Sequence, residues 1–146
     1  GVKGQSISHI VEDLLLIERM QPEMVGIGPF LPHKATPLGD EPAGDLNITL
    51  ATIAIVRLML PKALLPSTTA LATLTPRGRL EGILSGANVV MPNLSPSDVR
   101  AKYAIYENKA SWGKEAAEGL QALEQELQTI GYHIDYSRGD FDDKNL

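Results

Sequence analysis

Two glycines one residue apart, Gly26 and Gly28 in the stretch MVGIGPFLPH, are the first residues whose type and spacing suggest chemistry. A glycine-rich turn can cradle a phosphate. A dinucleotide fingerprint needs another glycine three positions after Gly28, where this chain has Leu31, and a helix starting at once, where it has Pro29 and a proline-rich loop. Strand alternation accounts for the pair better: Met24, Gly26 and Gly28 share one face, Val25 and Ile27 the other. If the branched pair packs on helices, the glycine face is hollowed and opens room for an enclosed ligand. Close packing of large residues from opposite strands is the alternative use of the same glycines.

Further along the chain, Thr68 and Thr69 are adjacent hydroxyls at the end of an apolar run. With the amides of a turn they can hold a small polar group such as a carboxylate, or they can simply satisfy backbone. Met91-Pro92-Asn93 closes a third such run, where methionine fills space and an Asn needs polar partners. Tyr103 and Tyr106 fall on one helical face, as core aromatics whose hydroxyls reach a rim. His9, His33 and His133 have no partner at metal-ligand spacing, so no metal site and no catalytic set is assigned; His33 is a rim residue after the first run. There is no cysteine, hence no disulfide, thiolate nucleophile or cysteine-held cluster within these residues.

These residues need elements to position them. Apolar residues at Ile7, Ile10, Val11, Leu14, Leu15 and Ile17 predict a helix from Ser6 to Met20, stopped by Pro22. A strand is expected at Glu23–Gly28, then a long loop with four prolines, and a helix from Leu46 to Leu60 capped by Asp45 and apolar nearly all round. Leu64–Thr68 reads as a second strand. Thr75-Pro76 reads as a cap with proline at the first helical position, opening a helix that Gly86 terminates. ANVVMPN is the third strand; Ser95-Pro96-Ser97-Asp98 opens a helix with the stripe Val99, Tyr103 and Tyr106. The last helix, Lys114 to Ile130, ends at Gly131 and has a Glu- and Gln-rich outer side.

Strands separated by helices are expected to be parallel. Three of them suit half of an eight-stranded barrel, so the expected class is α/β, a partial (βα)8 TIM barrel of about three parallel strands with flanking helices. At 146 residues and 43% hydrophobic content the chain makes one domain. A net charge of −5 with scattered basic residues argues against nucleic acid, and the apolar run ATIAIVRLML is broken by Arg57, far short of a membrane span. A cytoplasmic protein is expected. The chain opens GVKGQS without an initiator methionine, which reads as an excised fragment or the result of tag removal.

Taken in order, MVGIGPFLPHKATPL, LMLPKALLPSTTALATL and SGANVVMPNLSP resemble the C-terminal half of radical S-adenosylmethionine enzymes of the biotin synthase group. That region is the biotin and thiamin synthesis associated (BATS) domain. The likeness runs from GVKGQS, similar to the family's GxPGQT loop, to GYHIDYSRGD, and the GIGPF-x-PH form resembles the branch that matures [FeFe]-hydrogenase more than biotin synthase or methylornithine synthase.

The resemblance implies one BATS-like unit over 1–146, with 107–146 as a helical extension, forming part of a barrel with a large cavity. It implies a parent in which a [4Fe–4S] cluster held by CxxxCxxC cleaves S-adenosylmethionine to a 5′-deoxyadenosyl radical. The implied substrate is a small sulfur- and iron-containing precursor of the hydrogenase cluster. By the same resemblance Thr68 and Thr69 bind a substrate carboxylate, Met91, Tyr103 and Tyr106 border that pocket, Met24, Gly26 and Gly28 line the cavity, and Phe30 and Leu31 pass the adenine of the cofactor. The cluster motif is absent here, so the chain alone is not expected to turn over. YAIYENKASWGKEAAEG carries none of the cysteines that hold an accessory cluster in some relatives. The N-terminal half of the barrel, other maturation proteins and a second copy joined through strand edges are the implied macromolecular partners. A non-catalytic binding or scaffold module is the competing class.

Overall fold

The computed structural model describes residues 1–91 and 116–141, folded as five helices joined by extended segments and loops. Helix α1 spans Ile7–Met20. At its start the Ser6 amide donates to His9 Nδ1 at 3.0 Å, so a histidine takes the position a glutamate or glutamine fills in a capping box. At its end Gln21 turns into the left-handed region with φ 48°, its amide donating to the Ile17 carbonyl and its side chain to Glu18 O, before Pro22 prevents continuation.

Helix α2, Leu46–Met59, begins as its sequence indicates: Asp45 Oδ1 accepts from the Ile48 amide at 2.8 Å. The helix is not buried all round as its composition suggests. Thr49, Ile53 and Val56 face the core, while Ile48, Ile55 and Leu58 are exposed, Leu58 by 81%. Two short helices follow, α3 at Thr69–Leu74 and α4 at Gly78–Leu84, packed on each other, with α4 also against α2. Thr75 ends α3 instead of capping α4, whose N-cap is Arg77. Helix α5, Ala116–Gln128, is closed by a turn at Gly131, whose φ is +79°.

The half-barrel expectation is overturned, because among the described residues there is no β-sheet. The segments expected as strands are extended and parallel, yet each pair shares one isolated bridge, Met24 with Leu64 and Pro66 with Val89. The reason lies in the donors. Val25 N donates to Leu64 O and Leu64 N to Glu23 O, after which Gly26 and Gly28 bring no side chain to pack and weaken any continuation. Pro66, next after Leu64 to face that segment, has no amide proton to extend the pairing, and on the other side the Leu65 amide goes to the Asn88 side chain at 2.8 Å rather than to backbone. A ladder cannot propagate through those gaps.

Burial supplies what the missing ladder does not. The main core joins Leu14 of α1, Val25, Ile53 and Val56 of α2, Leu60, Leu65, Leu71 of α3 and Ala87. A second cluster joins Leu80 and Ile83 of α4 to Leu123 and Leu127 of α5. Between α2 and α4 stands Arg57. Its Nε donates to Gly86 O and a terminal nitrogen to Pro61 O, both at 2.8 Å, so one guanidinium closes the ends of two helices; partial burial lowers its pKa. No helix among the described residues is long and apolar enough to cross a membrane.

The end of α4 shows the clearest demand for glycine. The Gly86 amide donates to Ile83 O and the Ala87 amide to Gly82 O, the two bonds of a Schellman turn. Gly86 has φ +116°, and a Cβ there would stand 2.8 Å from Arg57 Cβ. Gly86→Ala is therefore expected to destabilise the protein by about 2 kcal/mol or more through backbone strain and displacement of the Arg57 clamp. Urea unfolding measures this, and a loss smaller than about 0.5 kcal/mol contradicts it.

Candidate functional site

The extended segment 63–67 delivers Thr68 to its place. Ala63, Leu65, Pro66 and Ser67 are buried, Ser67 Oγ donates to Arg79 O at 2.8 Å, and the Ser67 amide donates to Val89 O. With these anchors just before it, the backbone at position 68 has little freedom. Thr68 is the N-cap of α3, yet its side chain makes no capping bond. Its Oγ1 is buried and has no hydrogen-bond partner among the described residues.

That hydroxyl lies over Gly28. A Cβ at Gly28 would be 2.8 Å from Thr68 Oγ1, 3.5 Å from its Cγ2 and 3.6 Å from Ala70 Cβ. The glycine pair and the threonine pair, 40 residues apart in sequence, thus meet through one member of each. Gly26 differs, since a Cβ there would meet nothing within 4 Å. A buried hydroxyl left unpaired costs about 1–3 kcal/mol. Placement of this kind is costly to the fold and useful to a ligand that brings an acceptor or donor.

The remaining expected site residues are less convergent. Val25 is buried and Ile27 is packed against the core, so the branched pair does face inward, while Met24 is exposed. A groove of about 380 Å³ between α1, α2 and residues 25–28 takes in Gly26 and Gly28, with Asp13, Thr49 and Thr52 as polar lining. Thr68, Thr69, Phe30 and Leu31 do not line it. A second cleft of about 560 Å³ lies between Val89-Val90, α5 and the tail from Tyr132 to Asp140, and contains none of the expected residues. Met91 is 56% exposed. Tyr103 and Tyr106 lie outside the described residues.

Phe30 and Leu31 are half-buried. The Phe30 carbonyl accepts from the Gly44 amide at 2.9 Å, which folds the proline-rich loop back on itself and leaves the ring as the group on offer. His33 is absorbed locally: its Nδ1 accepts from the Ala35 amide at 3.1 Å and its carbonyl from Thr36. Among the described residues no three His, Asp or Glu side chains are grouped to hold a metal ion.

Sequence reasoning passed over Arg79, which is 2% exposed on α4, and Asn88, whose side chain replaces a backbone partner. Across from Arg79, Glu126 of α5 has its pKa raised by desolvation, an effect partly offset by the Arg79 charge. Nothing in local spacing signals that these two charges, so distant in the chain, influence each other. For Asn88 there was a faint cue, an amide residue inside an otherwise apolar run.

Three curated proteins are similar to this chain in sequence. HydE, a subunit of the [FeFe] hydrogenase maturase from Thermotoga maritima, is 46% identical over 109 residues, 75% of this chain and 31% of its own length. The chain is homologous to one part of that member of the radical S-adenosylmethionine family. Within that family, 3-methylornithine synthase of Methanosarcina acetivorans is 33% identical over 95 residues, covering 65% of this chain and 26% of the relative. The enzyme of the same name from Methanosarcina barkeri is 28% identical over 129 residues, 88% of this chain and 35% of the relative. No family model matches the chain. The chain spans about a third of the length of the curated relatives it matches.

The Thr68 geometry yields a stability test. Thr68→Val keeps the shape and removes the unpaired hydroxyl, so the variant is expected to be more stable than the wild type by about 1 kcal/mol. Thermal unfolding of the whole protein measures it; a lowered melting temperature would show that the hydroxyl has a stabilising partner.

Proposed function

We propose that this chain is the substrate-side portion of a HydE-type radical S-adenosylmethionine enzyme of [FeFe]-hydrogenase maturation. The observation that carries this reading is the 46% identity to HydE across three quarters of the chain. The 3-methylornithine synthases provide the second reading, a portion of an enzyme that makes an amino acid, supported by the 33% identity of the Methanosarcina acetivorans protein.

The second reading points to a substrate class, which we extend to the first. The product named for the Methanosarcina enzymes is an amino acid, and so carries an α-carboxylate. A threonine pair at the start of a helix suits that group: the hydroxyls donate, and a carboxylate accepts charge-assisted hydrogen bonds of roughly twice the neutral strength. Thr68 and Thr69 therefore hold the carboxylate of a small amino-acid-like substrate, and the buried Thr68 hydroxyl supports this because it awaits an acceptor. Met91, Tyr103 and Tyr106 border the same substrate in this reading, and Met24, Gly26 and Gly28 leave it space.

The chain does not fit the iron–sulfur cluster, having no cysteine to ligate it. The cluster and its redox chemistry belong to other residues of the parent protein. For S-adenosylmethionine the chain offers the half-buried Phe30 ring and Leu31, an apolar surface suited to one face of the adenine. No electron or radical step is assigned to these residues; their work is to bind and orient.

The test uses the whole protein, reconstituted anaerobically, with L-cysteine as a sulfur-containing amino acid and cysteamine as the same molecule without its carboxylate. Replacing both threonines by valine is expected to weaken L-cysteine binding by about tenfold or more and to leave cysteamine binding unchanged. Titration calorimetry measures both. Equal loss for the two compounds, or no binding of L-cysteine by the wild type, overturns the carboxylate reading.

A further inference from the structure

We infer that Gly28 is a positioning residue whose missing side chain fixes the direction of the Thr68 hydroxyl. This rests on the reading above, in which Thr68 meets the carboxylate. A glycine can be required by its backbone or by its surroundings, and here the backbone is not the reason. Gly28 is not among the glycines with positive φ, which are Gly4, Gly86, Gly131 and Gly139, so any residue can adopt its conformation. The surroundings decide. Of the three atoms nearest to a Cβ at position 28, only Thr68 Oγ1, at 2.8 Å, is closer than real Cβ contacts allow; Cγ2 and Ala70 Cβ, at 3.5 and 3.6 Å, are at ordinary contact distance. The specific thing that Gly28 accommodates is the hydroxyl oxygen.

A methyl group at position 28 has a cheap way to be accommodated, which makes its effect selective. Thr68 makes no capping bond through its side chain, so rotation about χ1 relieves the clash without breaking a hydrogen bond among the described residues. Of the two rotations of about 120° open to a threonine, one swings the Cγ2 methyl toward position 28 and renews the clash; the other turns the Cβ hydrogen there, relieves it and carries Oγ1 to another corner. The backbone at 68 stays where Ser67 anchors it, through Ser67 N to Val89 O and Ser67 Oγ to Arg79 O. The fold then survives and the hydroxyl points elsewhere. Gly26, on the same extended segment, has open space where its Cβ would be, so the two glycines of GIG do different work.

A double-mutant cycle in the whole, reconstituted protein tests this, with the dissociation constant of L-cysteine and the melting temperature as readouts. Gly28→Ala is expected to weaken L-cysteine about tenfold, as Thr68→Ala does, and to weaken cysteamine, which has no carboxylate for Thr68 to meet, by clearly less. Gly28→Ala combined with Thr68→Ala is expected to bind L-cysteine no more weakly than Thr68→Ala alone, because the atom through which Gly28 acts is gone. The same double variant is expected to recover any melting temperature lost by Gly28→Ala, so the cycle remains decisive if the single variant folds poorly. Positioning is overturned if Thr68→Ala weakens binding while Gly28→Ala does not, if the two losses multiply, or if folding lost by Gly28→Ala is not restored by Thr68→Ala. If Thr68→Ala leaves L-cysteine binding unchanged, the carboxylate reading itself fails.

Discussion

Leu65 ties the extended segments together, and the rest of the described structure depends on that knot. Its amide donates to Asn88 Oδ1, its carbonyl accepts from the amides of Asn88 and Val89, and its side chain is 1% exposed in the main core. Without the Asn88 side chain the Leu65 amide would be buried without an acceptor. One residue earlier, Leu64 exchanges two backbone hydrogen bonds with Glu23 and Val25. The segment 63–67 thereby fixes residues 23–25 on one side and 88–89 on the other. Thr68 arrives against Gly28 as a consequence of these constraints.

The site asks the fold to tolerate a cost. An unpaired buried hydroxyl is one of the few features that a threonine-to-valine change improves, and natural folds keep such features where binding requires them. Arg57 and the Schellman turn at Gly86 work in the opposite sense, satisfying the carbonyls at the ends of α2 and α4. Stability gathered at the helix ends and in the main core offsets the cost of the unpaired Thr68 hydroxyl.

Much of this was legible in the sequence, to different depths. Helices α1 and α2 follow from apolar spacing and from Pro22, Asp45 and Pro61, because local signals and packing agree there. Gly86 and Gly131 stand where the periodic runs end, and both have the positive φ that such ends call for. The sheet was misjudged because hydrophobic runs report burial but not donors: Pro66 and the diversion of Leu65 N to a side chain are what keep extended segments from becoming strands. Helix α3 was hidden inside ALLPSTTALATL, where adjacent threonines suit an extended chain as well as a helix start. At the site, the sequence marked Gly26, Gly28, Thr68 and Thr69 as unusual, but only the structure separates Gly28, which a side chain would disturb, from Gly26, which it would not.

The central claim is that the Thr68 hydroxyl, unpaired in the described structure, is completed by a substrate carboxylate. The most direct measurement is a crystal structure of the whole protein with L-cysteine bound. The account predicts a carboxylate oxygen within about 3 Å of Thr68 Oγ1 and Gly28 still bare beneath it. A carboxylate held elsewhere, with Thr68 Oγ1 bonded to a protein group instead, would contradict it.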